Sequence, residues 1–329
     1  MLGDHPERER VLHVLSHALA PSTADSYGAH FARFVRWCES RPDQPSPLPA
    51  STGTVLRWLA DDVTRGDRVK KDSLQPYLSA INSLHRDLGY EEPALGHLIQ
   101  RFRSGLGHLQ TDRGRAAQRV YLPPPVVERV LEWALALDLS AATKRGRSAF
   151  RAAVATVFTF CFFARGATGS QLRCTDVRRS VAGVTVTLEY EKGKRTAGAA
   201  RSITIPPGAI PGLEALLAKW EAFRGPRGER DCYYALPGER RAFPASAVDG
   251  WLREILAHLD VQPPVGELWS GHSLRKGAAS GSAAEGVALD RICWMGGWAV
   301  RAKSVFDYID PTCPQSPACR RFFGWLRPR

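Results

Sequence analysis

HSLRKGAASGSAAEGVALDRICWMGGWAVRAKSVFDYID, residues 272–310, sets four chemically distinctive groups into a background of small and apolar residues. The spacing predicts a helix over 272–285, with His272 and Arg275 three positions apart on one face. A second helix is expected over 288–297, and Trp298 follows its terminal Gly296-Gly297. Tyr308 comes ten residues after Trp298, on a predicted helix over about 301–309 beside Val305 and Phe306. Roughly a hundred residues upstream, Arg165 follows an apolar helix and leads into Gln171-Leu172-Arg173-Cys174-Thr175-Asp176. Taken singly, each has an ordinary explanation. His-x-x-Arg pairs mostly make surface contacts, a helix-ending arginine is normally structural, and Trp298 and Tyr308 are the kind of rings that pack. Their joint occurrence in one chain is what carries information.

That combination suits attack on a phosphodiester. The reacting phosphate gathers negative charge on its non-bridging oxygens, and fixed guanidinium groups stabilise it bidentately. Arg165 and Arg275 are the candidate clamps. His272, one turn before Arg275, can donate to the same phosphate or take a proton. Trp298 offers an indole N–H that never titrates. Tyr308 is the candidate nucleophile, and its phenol needs a positive field and a proton acceptor to attack. The leaving sugar oxygen needs a proton, and Lys192 or Lys194, at the turn of a predicted hairpin, suits that role. No dense Asp/Glu cluster suggests a two-metal site, and no Gly-rich loop suggests a nucleotide, so neither metal nor cofactor is expected.

The net charge of +12 is unevenly spread over the 329 residues. Residues 1–122 hold 16 Lys+Arg against 14 Asp+Glu, and residues 123–329 hold 29 against 19. A basic second half points to a polyanionic partner, most commonly nucleic acid. The 44% hydrophobic content supports real cores and excludes a disordered tail. The seven cysteines are odd in number and lack CxxC spacing, which fits a reducing compartment. Cys161 and Cys293 lie in apolar runs and are expected to be buried thiols. Cys313 and Cys319 have the spacing to pair or bind metal, but no His or Cys cluster accompanies them. The charged N-terminus is not a secretory signal, and no apolar run reaches membrane-spanning length. The expectation is a soluble, intracellular, DNA-associated protein.

Two domains fit the length. Residues 1–110 are expected to be all helix. Ser22-Thr23 would cap a helix carrying Tyr27, Phe31, Phe34 and Cys38; further helices would start near Thr54, near Ser73 and after Pro93, the last burying Leu98, Phe102 and Leu106. Residues 111–122 are polar and basic and are expected to form a linker. In residues 123–329, helices are expected over 126–137, 147–163, 212–223 and 246–259. Val184, Val186, Leu188 and Tyr190 alternate with polar residues as a strand does. Gly193 and Gly198 mark a turn, and Arg201–Ile205 completes a hairpin. The fold class is therefore mainly α: an all-helical first domain, then an α+β domain with a small antiparallel sheet. The aromatic, basic tail from Arg320 to Trp325 needs burial, first of all on its own domain.

In order and spacing, these residues resemble the tyrosine recombinases, the phage-integrase family. There the first arginine starts a segment ending Leu-x-x-x-Asp, matched by Arg165, Leu172 and Asp176. Lys192 falls on the hairpin lysine, His272 and Arg275 on the His-x-x-Arg box, Trp298 on the next His/Trp position and Tyr308 on the nucleophile. Residues 20–110 resemble the family's helical core-binding domain. Gly296-Gly297-Trp298 with Tyr308-Ile309-Asp310-Pro311 is similar to recombinases of eukaryotic mobile elements. The resemblance implies site-specific cleavage and rejoining of double-stranded DNA through a 3′-phosphotyrosyl intermediate, without ATP or metal. It also implies two domains clamped around the duplex and a homo-tetramer on DNA, with burial of the tail in a neighbouring subunit as the alternative to packing on its own domain. Three departures stand out: Thr168 replaces an acidic residue, Lys276-Gly277 follows Arg275 where relatives often carry His and an apolar residue, and the tyrosine lies one residue later than usual. A type IB topoisomerase and a catalytically silent DNA-binding descendant are the alternatives.

Overall fold

A proline starts the first described helix. In the computed structural model, which describes residues 18–67, 69–111, 118–188, 200–239, 243–300 and 303–327, α1 runs Pro21–Glu39. Its N-cap is Ala20, without a side-chain cap, so the expected Ser22-Thr23 cap is not made. Pro21 at the first turn supplies a pre-set φ and has no N–H to leave unpaired. The chain divides into two compact units, Met1–Arg115 and Ala116–Arg329.

In the first unit, α2 is Thr52–Trp58, capped by Ser51 Oγ accepting from the Thr54 amide at 3.0 Å. It continues into a π-helical turn, Leu59–Val63. That turn carries Asp61, which accepts from the Trp37 indole at 2.9 Å, and Asp62, which accepts from Arg33 Nε at 2.7 Å and the Trp58 indole at 3.0 Å. α3 is Gln75–Asp87 and α4 is His97–Thr111. Gly89, at φ +79°, takes the left-handed conformation that lets the chain leave α3. Phe34, Trp58, Leu78 and Ile81 fill the core with Ile99 of α4. Leu98, expected inside, is 55% exposed, because Ile99 takes the inward position.

The second unit begins with β1, Gln118–Arg119, so the end of the expected linker is structured. The helices α5 (Pro124–Ala136) and α6 (Lys144–Cys161) follow. α6 is buried on every side from Ala149 to Cys161, which explains its apolar run. After the short α7 (Gly166–Ser170), an antiparallel sheet is built from β2 (Val177–Ser180), β3 (Gly183–Leu188) and β4 (Arg201–Ile205) in the order β2-β3-β4. Val184 pairs with Ile205 and Leu188 with Arg201. β2 was not expected: only Val177 of its four residues is buried, so no alternation marks it. Tyr190, Gly193 and Gly198 lie outside the described residues.

α8 is Leu213–Arg224 and α9 is Ala247–His258. A two-residue strand, β5 (Glu267–Leu268), pairs in parallel with β1. It leads into α10, Gly271–Ala284, followed by α11, Leu289–Gly296. The expected helix over 301–309 is replaced in its described part by one 3-10 turn, Lys303–Val305, and a turn that carries Tyr308. A helix α12, Pro317–Phe323, closes the unit. Phe322, Phe323 and Leu326 are buried in the same core as α5, α6 and α10, so the tail packs on its own domain. Cys161 and Cys293 are buried as expected. Among the described residues no helix is long and apolar enough to cross a membrane.

Candidate active site

Two glycines bring the first arginine to the histidine. A Cβ on Gly166 would lie 3.7 Å from the Gly271 Cα, and one on Gly271 would lie 3.5 Å from the Gly166 Cα. The starts of α7 and α10 therefore touch through bare backbone. Arg165 is the N-cap residue of α7, and His272 is the second residue of α10. The Gly271 amide donates to the Asp249 carboxylate of α9, and the Ser270 amide donates to Ser273 Oγ at 3.0 Å. Both bonds fix the start of α10. The Arg165 side chain is half-buried and makes no hydrogen bond or ion pair with a described residue.

Arg275 lies one turn further along and is 1% exposed. Its Nη1 donates to the Phe163 carbonyl at 2.8 Å and its Nη2 to the Gly296 carbonyl. The guanidinium carbon sits 4.0 Å from the Trp298 ring centroid and 5.4 Å from that of Tyr308. One buried cation thus ties the chain just before Arg165, the end of α11 and both aromatic rings together. Rings against a desolvated guanidinium gain electrostatic attraction on the order of 2 kcal/mol. Gly296 is required here, since a Cβ would meet the Trp298 ring at 1.8 Å. Gly297, at φ +67°, turns the chain so that Trp298 folds back.

The Trp298 and Tyr308 rings are 5.0 Å apart and tilted by 54°. The Tyr308 backbone is held from α10: Ser280 Oγ donates to the Tyr308 carbonyl at 3.2 Å and accepts from the Asp310 amide at 2.9 Å. Ser280 was not singled out from sequence, because a serine in a run of small residues gives no signal of its own. Tyr308 is half-buried and borders an open cleft of about 290 Å³ with Arg119, Val120, His272, Lys276 and Asp307. His272, also in the lining, is exposed. Its pKa is lowered, first by partial desolvation of the ring, then by Arg119, with Arg275 and Arg165 adding to the effect and Asp249 opposing it.

Arg165, His272, Arg275, Trp298 and Tyr308 therefore converge on one region, with Arg275 beneath the rings rather than on the cleft wall. Lys192 and Lys194 lie outside the described residues. Cys313 and Cys319, just beyond Tyr308, are buried free thiols close enough to couple, which holds Cys319 below and Cys313 above the ordinary thiol range. Among the described residues no group of three or more His, Cys, Asp or Glu is placed to hold a metal ion.

No sequence-family profile matches the chain, and no curated protein matches it in sequence. Solved structures do match. The Tn1549 transposon integrase in complex with circular intermediate DNA superimposes with a TM-score of 0.58 at 10% identity, covering 92% of this chain and 93% of that one. The XerH site-specific recombinase bound to palindromic difH substrate, in a post-cleavage complex, superimposes at 0.56 with 13% identity, covering 91% and 76%. The chain has the fold of the tyrosine recombinases.

Proposed function

We propose that this chain cleaves and rejoins duplex DNA at specific sites, with Tyr308 as the nucleophile. The observation that carries the proposal is the stack of Arg275 on Trp298 and Tyr308, beside a cleft shared by Tyr308 and His272. In this mechanism the phenol oxygen of Tyr308 attacks phosphorus. Neutral His272 takes the phenolic proton, and the bond to the 5′ oxygen breaks. That oxygen takes a proton from Lys192 or Lys194, as the resemblance implies. The new phosphotyrosyl ester keeps the phosphodiester's energy, so a second hydroxyl reverses the steps and rejoins the strand. Arg165 supplies positive charge at the phosphate, and Arg275 supplies it from below, where low local dielectric strengthens its field. The 3′-phosphotyrosyl polarity, the homo-tetramer on DNA and the clamping of the duplex by two domains belong to the same proposal.

A second reading is a binding-only descendant. Arg275 favours it, because two of its donors are engaged by backbone carbonyls. Covalent trapping separates the two. Wild type and Tyr308→Phe are incubated with labelled DNA from the gene's own genomic flanks and stopped with detergent. Label retained on wild type and lost in Tyr308→Phe supports the enzyme. Salt-sensitive binding without any adduct on those flanks or on the element's own ends supports the binding-only protein.

A further inference from the structure

The end of the expected linker lies on α10 rather than in solvent. The Val120 amide donates to the Leu268 carbonyl at 3.3 Å, and the Leu122 amide to the Ser273 carbonyl at 2.9 Å. Gly277 makes this possible: a Cβ there would fall 2.1 Å from the Leu122 carbonyl oxygen. The contact accounts for a glycine directly after Arg275-Lys276. Pinned in this way, β1 delivers Arg119 to the lining of the cleft that Tyr308 borders. Lys276 reaches the same cleft from α10, one turn after His272.

Arg119 is exposed and Lys276 half-buried, and neither makes a hydrogen bond or ion pair with a described residue. Asp307 is the acid on the cleft wall, while Asp310 is near enough to Lys276 to feel its charge. Two unengaged cations against one lining carboxylate leave the cleft positive even with His272 neutral. Arg165 and Arg275 do not line it. The cleft that Tyr308 borders thus has a cation pair of its own.

We infer that Arg119 and Lys276 are phosphate-binding residues that seat the backbone of the attacked DNA strand over Tyr308. The inference rests on the proposed function, since it takes the cleft to be a DNA site. A guanidinium offers a bidentate fork to phosphate oxygens, and an ammonium offers a point charge. Each contact displaces a condensed counterion and so leaves a mark in the salt dependence of binding.

The test is equilibrium binding of the full chain to a labelled duplex of about 30 bp, between about 50 and about 200 mM salt, with no cleavage required. Arg119→Gln and Lys276→Gln are each expected to flatten the log K against log salt slope by about one, and the double variant by about two. Arg119→Lys and Lys276→Arg are expected to keep the wild-type slope. Melting curves establish that the variants are folded. Folded Gln variants with the wild-type slope overturn the inference and leave the proposed function standing. A wild type that shows no salt-dependent DNA binding overturns both.

Discussion

At the scale of single residues, Arg275 and His272 divide the work between structure and chemistry. Arg275 is fully enclosed, and its bonds to the Phe163 and Gly296 carbonyls make it the tie between three chain segments. His272 faces the cleft, with a proton affinity lowered by desolvation and by Arg119. Its pKa lies below the usual 6.5, so it is neutral at neutral pH and gains a proton only as the pH falls through that lowered value. A neutral imidazole can accept the Tyr308 proton, whereas an imidazolium cannot. Adduct formation is therefore expected to be level near pH 7 and to fall on acidification below 6.5. In Arg119→Gln the fall should begin at higher pH, because a depressing charge is gone. A pH–rate profile that rises toward acid would remove His272 as the proton acceptor. The types and order of these residues were legible in the sequence. The burial of Arg275 was not, because His-x-x-Arg spacing says which helix face a side chain leaves from and not what covers it.

At the scale of elements, α10 is the scaffold of the site. It presents His272, Arg275 and Lys276, and one turn after Lys276 it presents Ser280, which holds the Tyr308 backbone. Its start is set by Asp249 and its approach to the β1 segment by Gly277. Alanine in place of a helix-interior glycine normally stabilises by about 1 kcal/mol. Here the added methyl meets a backbone oxygen at 2.1 Å, so the sign should reverse. Gly277→Ala is expected to lower the melting temperature and to weaken DNA binding by displacing Arg119. An unchanged or raised melting temperature with wild-type binding would contradict that packing. Long helices with apolar periodicity, such as α6 and α10, were readable from sequence within a few residues. β2 was missed because Arg178, Arg179 and Ser180 are exposed and give no period-two signal. The Tyr308 segment was expected to be a helix because Val305, Phe306 and Tyr308 look like one face. In the fold only Val305 is fully buried, and Phe306 is 61% exposed. What holds Tyr308 is Ser280, a long-range contact that no local pattern reveals.

At the scale of the whole molecule, the positive charge is concentrated in the unit that carries the site, and the C-terminal tail belongs to that unit's core. Phe322 and Phe323 pack on Phe160, with centroids 5.3 and 5.4 Å away. Gly281 leaves room for Phe323, since a Cβ there would meet its ring at 2.8 Å. Arg321 adds ion pairs to Glu128 and Glu132, each at 3.0 Å. Removal of residues 318–329 would therefore strip core side chains, each worth about 1.5–3 kcal/mol of burial. Phe322→Ala is expected to cost about 3–5 kcal/mol, read by denaturant unfolding. A cost near zero would mean that the tail does not pack on its own domain in solution, and would favour burial in a neighbouring subunit. The direct measurement of the central claim is mass spectrometry of a trapped protein–DNA adduct after nuclease and trypsin digestion. The peptide Ser304–Arg320 contains Tyr308 as its only tyrosine. A nucleotide remnant on that peptide, at Tyr308, is the predicted result. A remnant on any other residue would contradict the account.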